Sequence, residues 1–305
     1  MRDAFISSLI DAAEVDQNVT LITGDLGFGV FEEFAAKFPK QFFNSGVAEQ
    51  SMLSMAAGMA SAGRKVFAYS IGNFSTMRCL EQIRNDICYQ KNPVTVVSVG
   101  GGYAYGNLGY SHHAIEDFSV MRTMPGLKII SPADRLEVES AISEIIKKPQ
   151  PYYLRLGRNG ENSIHQAKPE YKIGKLIQIA EGKNGTILFT GSIGLLAVAA
   201  RNELAEQSIN IGIYSVPFVN AIDPEELKRI ATNGNIVVLE EHYYKGGLGS
   251  EVLEVLNEYG ITALVHIVGS KRTNISQVGN REYLLTENEI SVDRIVNFFR
   301  NSSKY

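Results

Sequence analysis

Two patterns of apolar and polar residues alternate along the chain. Short, mostly apolar runs rich in β-branched residues are typical of strands buried on both faces of a parallel sheet. Longer segments with apolar residues at every third or fourth position are typical of the helices that cover such a sheet. In the first half of the chain the predicted strands are VTLIT (19–23), QFFN (41–44), KVFAYS (65–70), VTVVSV (94–99), KIIS (128–131) and YYLRL (152–156). The predicted helices lie at the N-terminus and near 30–38, 49–62, 74–90 and 133–147.

The alternation pauses at residues 157–185, a polar segment with Gly and Pro that we interpret as a linker. It then resumes with strands TILFT (186–190), IGIYSV (211–216), a run at 235–239 and ALVHIV (263–268), and with helices at 192–207, 224–233, 248–259 and near 291–300. We therefore predict an α/β protein of two doubly wound domains, residues 1–165 and 166–305.

Ligands of open parallel sheets bind beyond the carboxyl ends of the strands. The segments at these ends are GDLGFG (24–29), NSGVAEQ (44–50), SIGNFST (70–76), GGGYAYGNLGYSHH (100–113) and EEHYYKGGLGSE (240–251). In the second of these segments, Glu49 falls in the first turn of a helix otherwise built from small and apolar residues. By its position alone, Glu49 could simply complement the helix dipole, which is worth about 0.3–1 kcal/mol.

Composition excludes several classes of protein. A net charge of −4 provides no basic field for nucleic acid or an anionic membrane. No apolar run approaches the roughly 18 residues that a membrane span needs. The N-terminal segment has a helical spacing of Phe5, Leu9, Ile10 and Ala13 and lacks the apolar stretch of a signal peptide. The two cysteines, at 79 and 88, would lie on opposite faces of one helix and could not bridge, so we expect a reducing cytoplasm.

Common catalytic and nucleotide-binding motifs are absent from the sequence. There is no P-loop, no G-x-G-x-x-G turn and no G-x-S-x-G nucleophile elbow. Cysteine and histidine are too few and too far apart for a zinc site, and the pair His112–His113 in a loop is typical of exposed or structural histidines.

Several segments, in order along the chain, resemble one enzyme family. GVAEQSMLSMAAGMASAG is similar to the helix that carries a catalytic glutamate in transketolases and 1-deoxyxylulose-5-phosphate synthases. AYSIGNFSTM resembles the strand and loop that supply an aromatic ring to the cofactor, and GYSHHAIEDFSVMRTMPGLKIISPADRLEVESAI resembles a long histidine-containing block. YYLRLGR resembles a strand with a phosphate-binding arginine, and GTILFTGSIG and GGLGS resemble the C-terminal domain. The match implies a transketolase-like pyrimidine-binding domain followed by a transketolase C-terminal domain.

The resemblance implies that the chain binds thiamine diphosphate. Glu49 would hydrogen-bond N1′ of the aminopyrimidine ring and favour the cofactor tautomer that deprotonates the thiazolium carbon. Phe74, otherwise an ordinary core residue, would stack on this ring. Asp25 would approach the cofactor of the neighbouring chain, unless it is only a turn residue. Ile71 and Met77 stand where transketolases usually have further aromatic residues, so the surroundings of the ring would differ.

The resemblance also implies substrate contacts. His112 takes the place of a histidine that contacts the ketose and moves protons, and Arg155 and Arg2 match two phosphate-binding arginines, although either could equally form a surface ion pair. Leu108 stands where the family has an aspartate that binds a donor hydroxyl group, and Gly100 where transketolases have another histidine. A buried sugar hydroxyl beside a leucine would lack a hydrogen-bond partner. We therefore expect a donor other than an ordinary pentose or hexulose phosphate.

A family segment is missing from the chain. No G-D-G motif occurs here, whereas the family's N-terminal domain uses one to hold the diphosphate and its Mg²⁺. The resemblance therefore implies one subunit of a split transketolase that transfers a two-carbon ketol or acyl unit. It would be active only with a partner that carries the diphosphate site, in an α2β2 assembly. Three alternatives stay open: a 2-oxo acid dehydrogenase beta subunit, a condensing enzyme similar to the deoxyxylulose-phosphate synthases, and a non-catalytic scaffold.

Overall fold

Two open sheets, each covered by helices, form the protein. The computed structural model describes residues 1–158, 160–271 and 276–302. The first sheet has six parallel strands in the order β2-β1-β3-β4-β6-β5. These strands are β1 Val19–Thr23, β2 Phe42–Asn44, β3 Lys65–Ile71, β4 Val94–Val99, β5 Lys128–Ile130 and β6 Tyr152–Leu156.

Helices lie on both faces of the first sheet. They are α1 Arg2–Val15, α2 Glu32–Lys37, α3 Glu49–Ser61, α4 Gly72–Ser75, α5 Leu80–Gln82, α6 Asp117–Met121 and α7 Arg135–Lys147. One face is covered by α1 and α7, which share an apolar cluster with strand residues such as Leu21 and Val97. The other face is covered by α3 and the segment after α5, which share a cluster with Ile22 and Val96. The four residues whose spacing predicted α1 are its buried residues.

The second sheet has five strands in the order β11-β10-β8-β9-β7. Its strands are β7 Ile177–Ala180, β8 Thr186–Phe189, β9 Gly212–Ser215, β10 Ile236–Tyr243 and β11 Val265–Ser270. The helices around it are α8 Gly194–Ala205, α9 Pro224–Ala231, α10 Leu248–Glu258, α11 Arg281–Glu287 and α12 Val292–Ser302. The prediction of two α/β domains with parallel sheets is confirmed. The boundary predicted at residue 165 lies between β6 and β7 and stays a prediction.

Two strands differ from their predictions. β7 lies inside the segment predicted to be a linker, and it is the one strand of the described residues that pairs antiparallel, with β9. Its four residues are only partly buried, so it lacks the apolar run that marks the other strands. β10 is longer than predicted and includes Glu240, Glu241 and His242, which we had expected in a loop. These three polar residues are buried, which an analysis based on apolar runs does not detect.

The helix predicted at 74–90 is broken into four pieces. After α4 come a 3₁₀ turn at Met77–Cys79, then α5, then a π-helical segment at Ile83–Tyr89. Two side chains take carbonyl groups that a continuous helix would use for its backbone. The Thr76 hydroxyl donates to the Gly72 carbonyl at 2.8 Å, and the Cys79 thiol lies 3.3 Å from the Phe74 carbonyl. The chain therefore turns away from a regular helical path at the end of α4.

The two cysteines consequently do not lie on opposite faces of one helix. Cys79 belongs to the 3₁₀ turn and Cys88 to the π-helical segment, and both are unpaired thiols in the same apolar cluster. Burial raises the pKa of Cys79 to about 12 and that of Cys88 to about 11. Both thiols are therefore protonated at neutral pH.

A histidine after β6 ties the connecting segment to α7. Asp134, the N-cap of α7, accepts hydrogen bonds from the first turn of the helix. Its other carboxylate oxygen lies 3.1 Å from Nδ1 of His165, and His165 Nε2 lies 3.4 Å from Glu137. Burial opposes the charge on His165, but the hydrogen bond to Asp134 and the two nearby carboxylates outweigh it and raise the histidine's pKa.

This geometry predicts that His165→Gln destabilises the protein more at low pH than at high pH. Because the folded-state pKa of His165 is raised, its contribution is fully present below the unfolded value of about 6.5 and is lost at higher pH. We expect a cost of about 2 kcal/mol in the free energy of unfolding at pH 5.5, and less at pH 8.5. Urea unfolding at both pH values measures it.

His266→Gln is the matched control. Burial, followed by the charge of Arg294, lowers the pKa of His266, so its pH dependence should have the opposite sign. A cost of His165→Gln that is equal at both pH values would contradict the ion-pair role.

Candidate active site

Four loops meet at the carboxyl edge of the first sheet. They follow β1, β2, β3 and β4, and they span residues 24–31, 45–48, 72–79 and 100–116. Since the strands are parallel, these loops leave the sheet at the same edge. Most of the residues predicted for the site lie here: Glu49, Phe74, His112, Asp25, Ile71 and Met77.

Glu49 is the buried carboxylate of this edge. It begins α3, and only 3% of its surface is exposed. No side chain caps the helix, and the buried residues that follow Glu49 in α3 are all apolar. A Cβ atom on Gly24, the residue after β1, would lie 3.7 Å from Glu49 Cγ, so the backbone at Gly24 closes one side of the Glu49 side chain.

Arg78 connects Glu49 with Phe74. Its Nη1 donates to Glu49 Oε2 at 2.7 Å, and its Cζ lies 4.5 Å from the centroid of the Phe74 ring. No sequence pattern indicated Arg78, because a continuous helix over 74–90 would give no reason for its side chain to point to Glu49. The signal that could have revealed it is a cation in the loop segment just after the predicted aromatic residue.

His112 stands over the same phenylalanine. The two ring centroids are 5.2 Å apart, with the rings at 67°. Asn73 holds the histidine loop in place, because its Nδ2 donates to the carbonyls of Ser111 and His113 at 3.3 and 3.0 Å. Burial, and then the neighbouring His113, lower the pKa of His112. The imidazole is therefore neutral at pH 7 and able to accept or pass on a proton.

Asp25 lies in the loop beside β2. It is exposed and has a φ of 55°, a left-handed conformation that costs a residue with a side chain some free energy. A reciprocal pair of hydrogen bonds, both 3.0 Å, joins Asp25 to the Asn44 side chain, which also accepts from the backbone of Gly46. This pair fixes the loop after β1 against the loop that leads to Glu49.

Ile71 and Met77 flank α4 at its two ends. Ile71 is half-buried and packs against one of the apolar clusters of the sheet, whereas Met77 is 38% exposed. Of these two residues, Met77 is therefore the one with surface left for a ligand or a second chain.

Arg155 lies where a phosphate could not easily reach it. It is 4% exposed, its Nε donates to Asp117 at 2.7 Å, and its Nη2 donates to the Glu241 carbonyl at 3.0 Å. Its guanidinium also stacks on Phe118, with Cζ 4.3 Å from the ring centroid. These contacts make Arg155 a buried connection between the two domains, rather than the surface ion pair weighed as its alternative. They count against the predicted phosphate-binding role.

Two other cations stand near the same edge. Arg2 is partly exposed, its Nε is buried without a hydrogen bond, and it lies 3.5 Å from Asp3. Its backbone N–H donates to the carbonyl of Arg158, an exposed residue whose guanidinium lies 5.5 Å from the Tyr105 ring centroid. Arg158 was missed by the sequence analysis, because only burial distinguishes it from Arg155 in the motif YYLRLGR.

Residues of the second domain hydrogen-bond to the loop after β4. Glu241 accepts from the backbone N–H of Tyr103 at 2.7 Å and is ion-paired with Arg281. Glu240 accepts from the first N–H groups of α10 at Leu248 and Gly249, and burial raises its pKa to about 7. Glu240 and Glu241 therefore hold backbone N–H groups of α10 and of the loop after β4, and both carboxylates are buried.

The described residues lack two further features. No helix there is long and apolar enough to span a membrane. No group of three or more His, Cys, Asp and Glu side chains in residues 1–158, 160–271 and 276–302 is arranged to hold a metal ion.

Comparison with known proteins gives matches along most of the chain. Residues 1–161 match the family model described as "Transketolase, pyrimidine binding domain", and residues 174–295 match "Transketolase, C-terminal domain". The chain is 32% identical over 284 residues to one subunit of an apulose-4-phosphate transketolase from Phocaeicola vulgatus, a match that covers 92% of this chain and 90% of the relative.

Two further matches have similar coverage. A 6-deoxy-6-sulfo-D-fructose transketolase subunit of a Clostridium species is 30% identical over 298 residues, covering 97% of this chain and 92% of the relative. A split-gene transketolase, solved as an inactive beta4 tetramer, superposes with a TM-score of 0.91 at 30% identity, covering 99% of this chain and 97% of that chain.

The contacts of Arg155 predict that Arg155→Met destabilises the fold. The substitution leaves the fully buried Asp117 without its ion-pair partner, for which we expect a loss of about 3–5 kcal/mol in the free energy of unfolding. Urea unfolding measures this loss. Arg158→Met, at an exposed arginine of the same motif, is the control and should change the stability by less than about 0.5 kcal/mol. Equal costs for the two variants would disprove the structural role of Arg155.

Proposed function

This chain belongs to the transketolase family, and we propose that it is one subunit of a heteromeric thiamine diphosphate-dependent transferase. The observation that carries the proposal is the contact of Glu49 and Phe74 with one planar, hydrogen-bond-donating group, the guanidinium of Arg78. An aminopyrimidine ring is also planar, and it offers the same two contacts: a hydrogen bond at its edge and a stacking surface on its face. The carboxylate and the ring therefore fit this part of the cofactor.

Each residue of the site has a part in this proposal. Glu49 shares a proton with N1′ of the pyrimidine, and Phe74 stacks on its face. Asp25, Ile71 and Met77 contribute to the walls of cofactor pockets, with Asp25 reaching toward the cofactor of a neighbouring chain. When bound, thiamine diphosphate supplies the electron sink for making and breaking carbon–carbon bonds. The buried, apolar side of α3 helps to keep water away from Glu49, which strengthens its hydrogen bond.

We propose that a partner subunit with a G-D-G motif holds the diphosphate and Mg²⁺, in an α2β2 heterotetramer. The absence of this motif from the sequence and the relatives' designation as subunits support a partner. So does the description of the split-gene relative's beta4 tetramer as inactive. Phe28 and Val47, in the loops beside Glu49, are 79% and 75% exposed and offer an apolar surface to a second chain. The two unpaired thiols, Cys79 and Cys88, are compatible with a cytoplasmic location.

We propose an anionic sugar as the substrate, with transfer of a two-carbon ketol or acyl unit. The relatives are named for a sugar phosphate and a sulfo-sugar. Arg2 and Arg158 are cations suited to such a group, whereas the guanidinium of Arg155 is held by Asp117. His112, neutral and next to Phe74, is placed to exchange a proton with the substrate. Leu108 is 56% exposed in the single chain, and the expectation that it favours a donor other than an ordinary pentose or hexulose phosphate stays a prediction.

The role of Glu49 predicts that Glu49→Gln removes activity without unfolding the protein. In the complex with the partner, kcat should fall by about 10²- to 10⁴-fold, because an amide cannot exchange a proton with N1′. Steady-state kinetics measure kcat, and thermal unfolding checks the fold. Glu81→Gln, at an exposed glutamate of α5, is the control and should keep full turnover. Unchanged turnover of the Glu49 variant would remove Glu49 from the reaction.

The proposed division of the site predicts that the chain alone is inactive. Purified chain with thiamine diphosphate and Mg²⁺ should turn over no ketose or 2-oxo acid donor, and activity should appear on adding a subunit that carries the diphosphate site. A screen of phosphorylated and sulfonated ketoses with both subunits tests the function and identifies the donor. Robust turnover by the chain alone would contradict the split site.

A further inference from the structure

We propose that Arg78 is a placeholder for the cofactor's pyrimidine ring. In the chain without cofactor, its guanidinium contacts both Glu49 and Phe74. When the pyrimidine ring binds, the Arg78 side chain rotates away from these two residues. This inference rests on the proposed function, since it takes Glu49 and Phe74 as the residues that contact the pyrimidine.

The geometry makes the two occupants mutually exclusive. Arg78 Nη1 donates a hydrogen bond to Glu49 Oε2 at 2.7 Å, and the guanidinium carbon lies 4.5 Å from the centroid of the Phe74 ring. A planar ring that stacks on this face of Phe74 and donates to Glu49 would fill the volume that the guanidinium holds. The guanidinium must therefore leave before both contacts of the ring can form.

Arg78 is attached in a way that permits this movement. Its backbone carbonyl accepts from the Gln50 side chain at 3.1 Å, which anchors the main chain to α3. Its side chain is 46% exposed, and its hydrogen bond to Glu49 uses a single nitrogen. Arg155, by contrast, is 4% exposed and donates through two nitrogens. Rotation about the side-chain bonds of Arg78 is enough to open the site, with no change in the backbone.

The placeholder has a physical reason. A buried carboxylate without a donor is unfavourable, so Glu49 needs a partner whenever the cofactor is absent. The ion pair provides this partner, but it also competes with the ring. Apparent affinity falls in proportion to the fraction of chains in which the site is open. The chain alone therefore binds the pyrimidine weakly.

Binding of thiamine, which carries the pyrimidine without the diphosphate, tests the proposal on the full chain by ligand-observed NMR titration. Arg78→Met should tighten the Kd three- to tenfold, because the competitor is removed. The control is Arg84→Met, which removes the same charge from an exposed arginine whose guanidinium donates to its neighbour Asn85, and it should leave the Kd unchanged. An unchanged or weaker Kd for Arg78→Met, or equal tightening in both variants, would overturn the placeholder.

Glu49→Ala separates this inference from the proposed function. It should weaken thiamine binding and abolish the gain from Arg78→Met in the double variant. If Glu49→Ala left thiamine binding unchanged, the proposed function itself would fail. If it weakened binding while Arg78→Met did not tighten it, only the placeholder would fail.

A measurement on the wild-type chain covers the case in which Arg78→Met does not fold. Phenylglyoxal modifies exposed arginines, and peptide mass spectrometry locates the modified residue. Saturating thiamine should speed the modification of Arg78 at least twofold and leave Arg84 unaffected. Protection of Arg78 by thiamine, or an unchanged rate, would show that the guanidinium stays in place.

Discussion

A carboxylate shielded from water must have a hydrogen-bond donor, and the candidate site is organised around that constraint. Glu49 begins α3, where the free N–H groups of the helix favour a negative charge, but the buried residues of the following turns are all apolar and leave the carboxylate 3% exposed. Burial that strengthens a hydrogen bond to a cofactor also makes an unpaired carboxylate costly. The structure meets this cost with Arg78, a residue flexible enough to give up the contact.

Rigid hydrogen bonds surround this mobile contact. Asn73 fastens the histidine loop above Phe74, and the Asp25–Asn44 pair fastens the loop after β1. From the second domain, Glu241 holds the backbone of Tyr103. These hydrogen bonds do not involve Arg78, so rotation of its side chain leaves the loops around Glu49 fastened.

Periodicity predicted most of the fold, because every strand of the first sheet is a short, mostly apolar run and α1 shows its buried face in its spacing. It failed where polar side chains decide the structure. The break after α4 depends on Thr76 and Cys79 bonding to nearby carbonyls, and this break directs Arg78 toward Glu49. The resemblance to a family selected Glu49, Phe74 and His112, which the structure brings close together, but no sequence pattern indicated the guanidinium between Glu49 and Phe74.

Burial distinguishes two arginines of similar sequence context. Arg155 and Arg158 stand three residues apart at the end of β6. Arg155 is enclosed by the C-terminal domain, whereas Arg158 faces solvent. An enclosed arginine with a carboxylate partner has no charge left for a ligand, whereas an exposed one keeps its charge available. Arg78 lies between these extremes: it is paired with a buried carboxylate but half exposed. That intermediate state suits a group that satisfies Glu49 in one state of the protein and releases it in another, as we propose for Arg78.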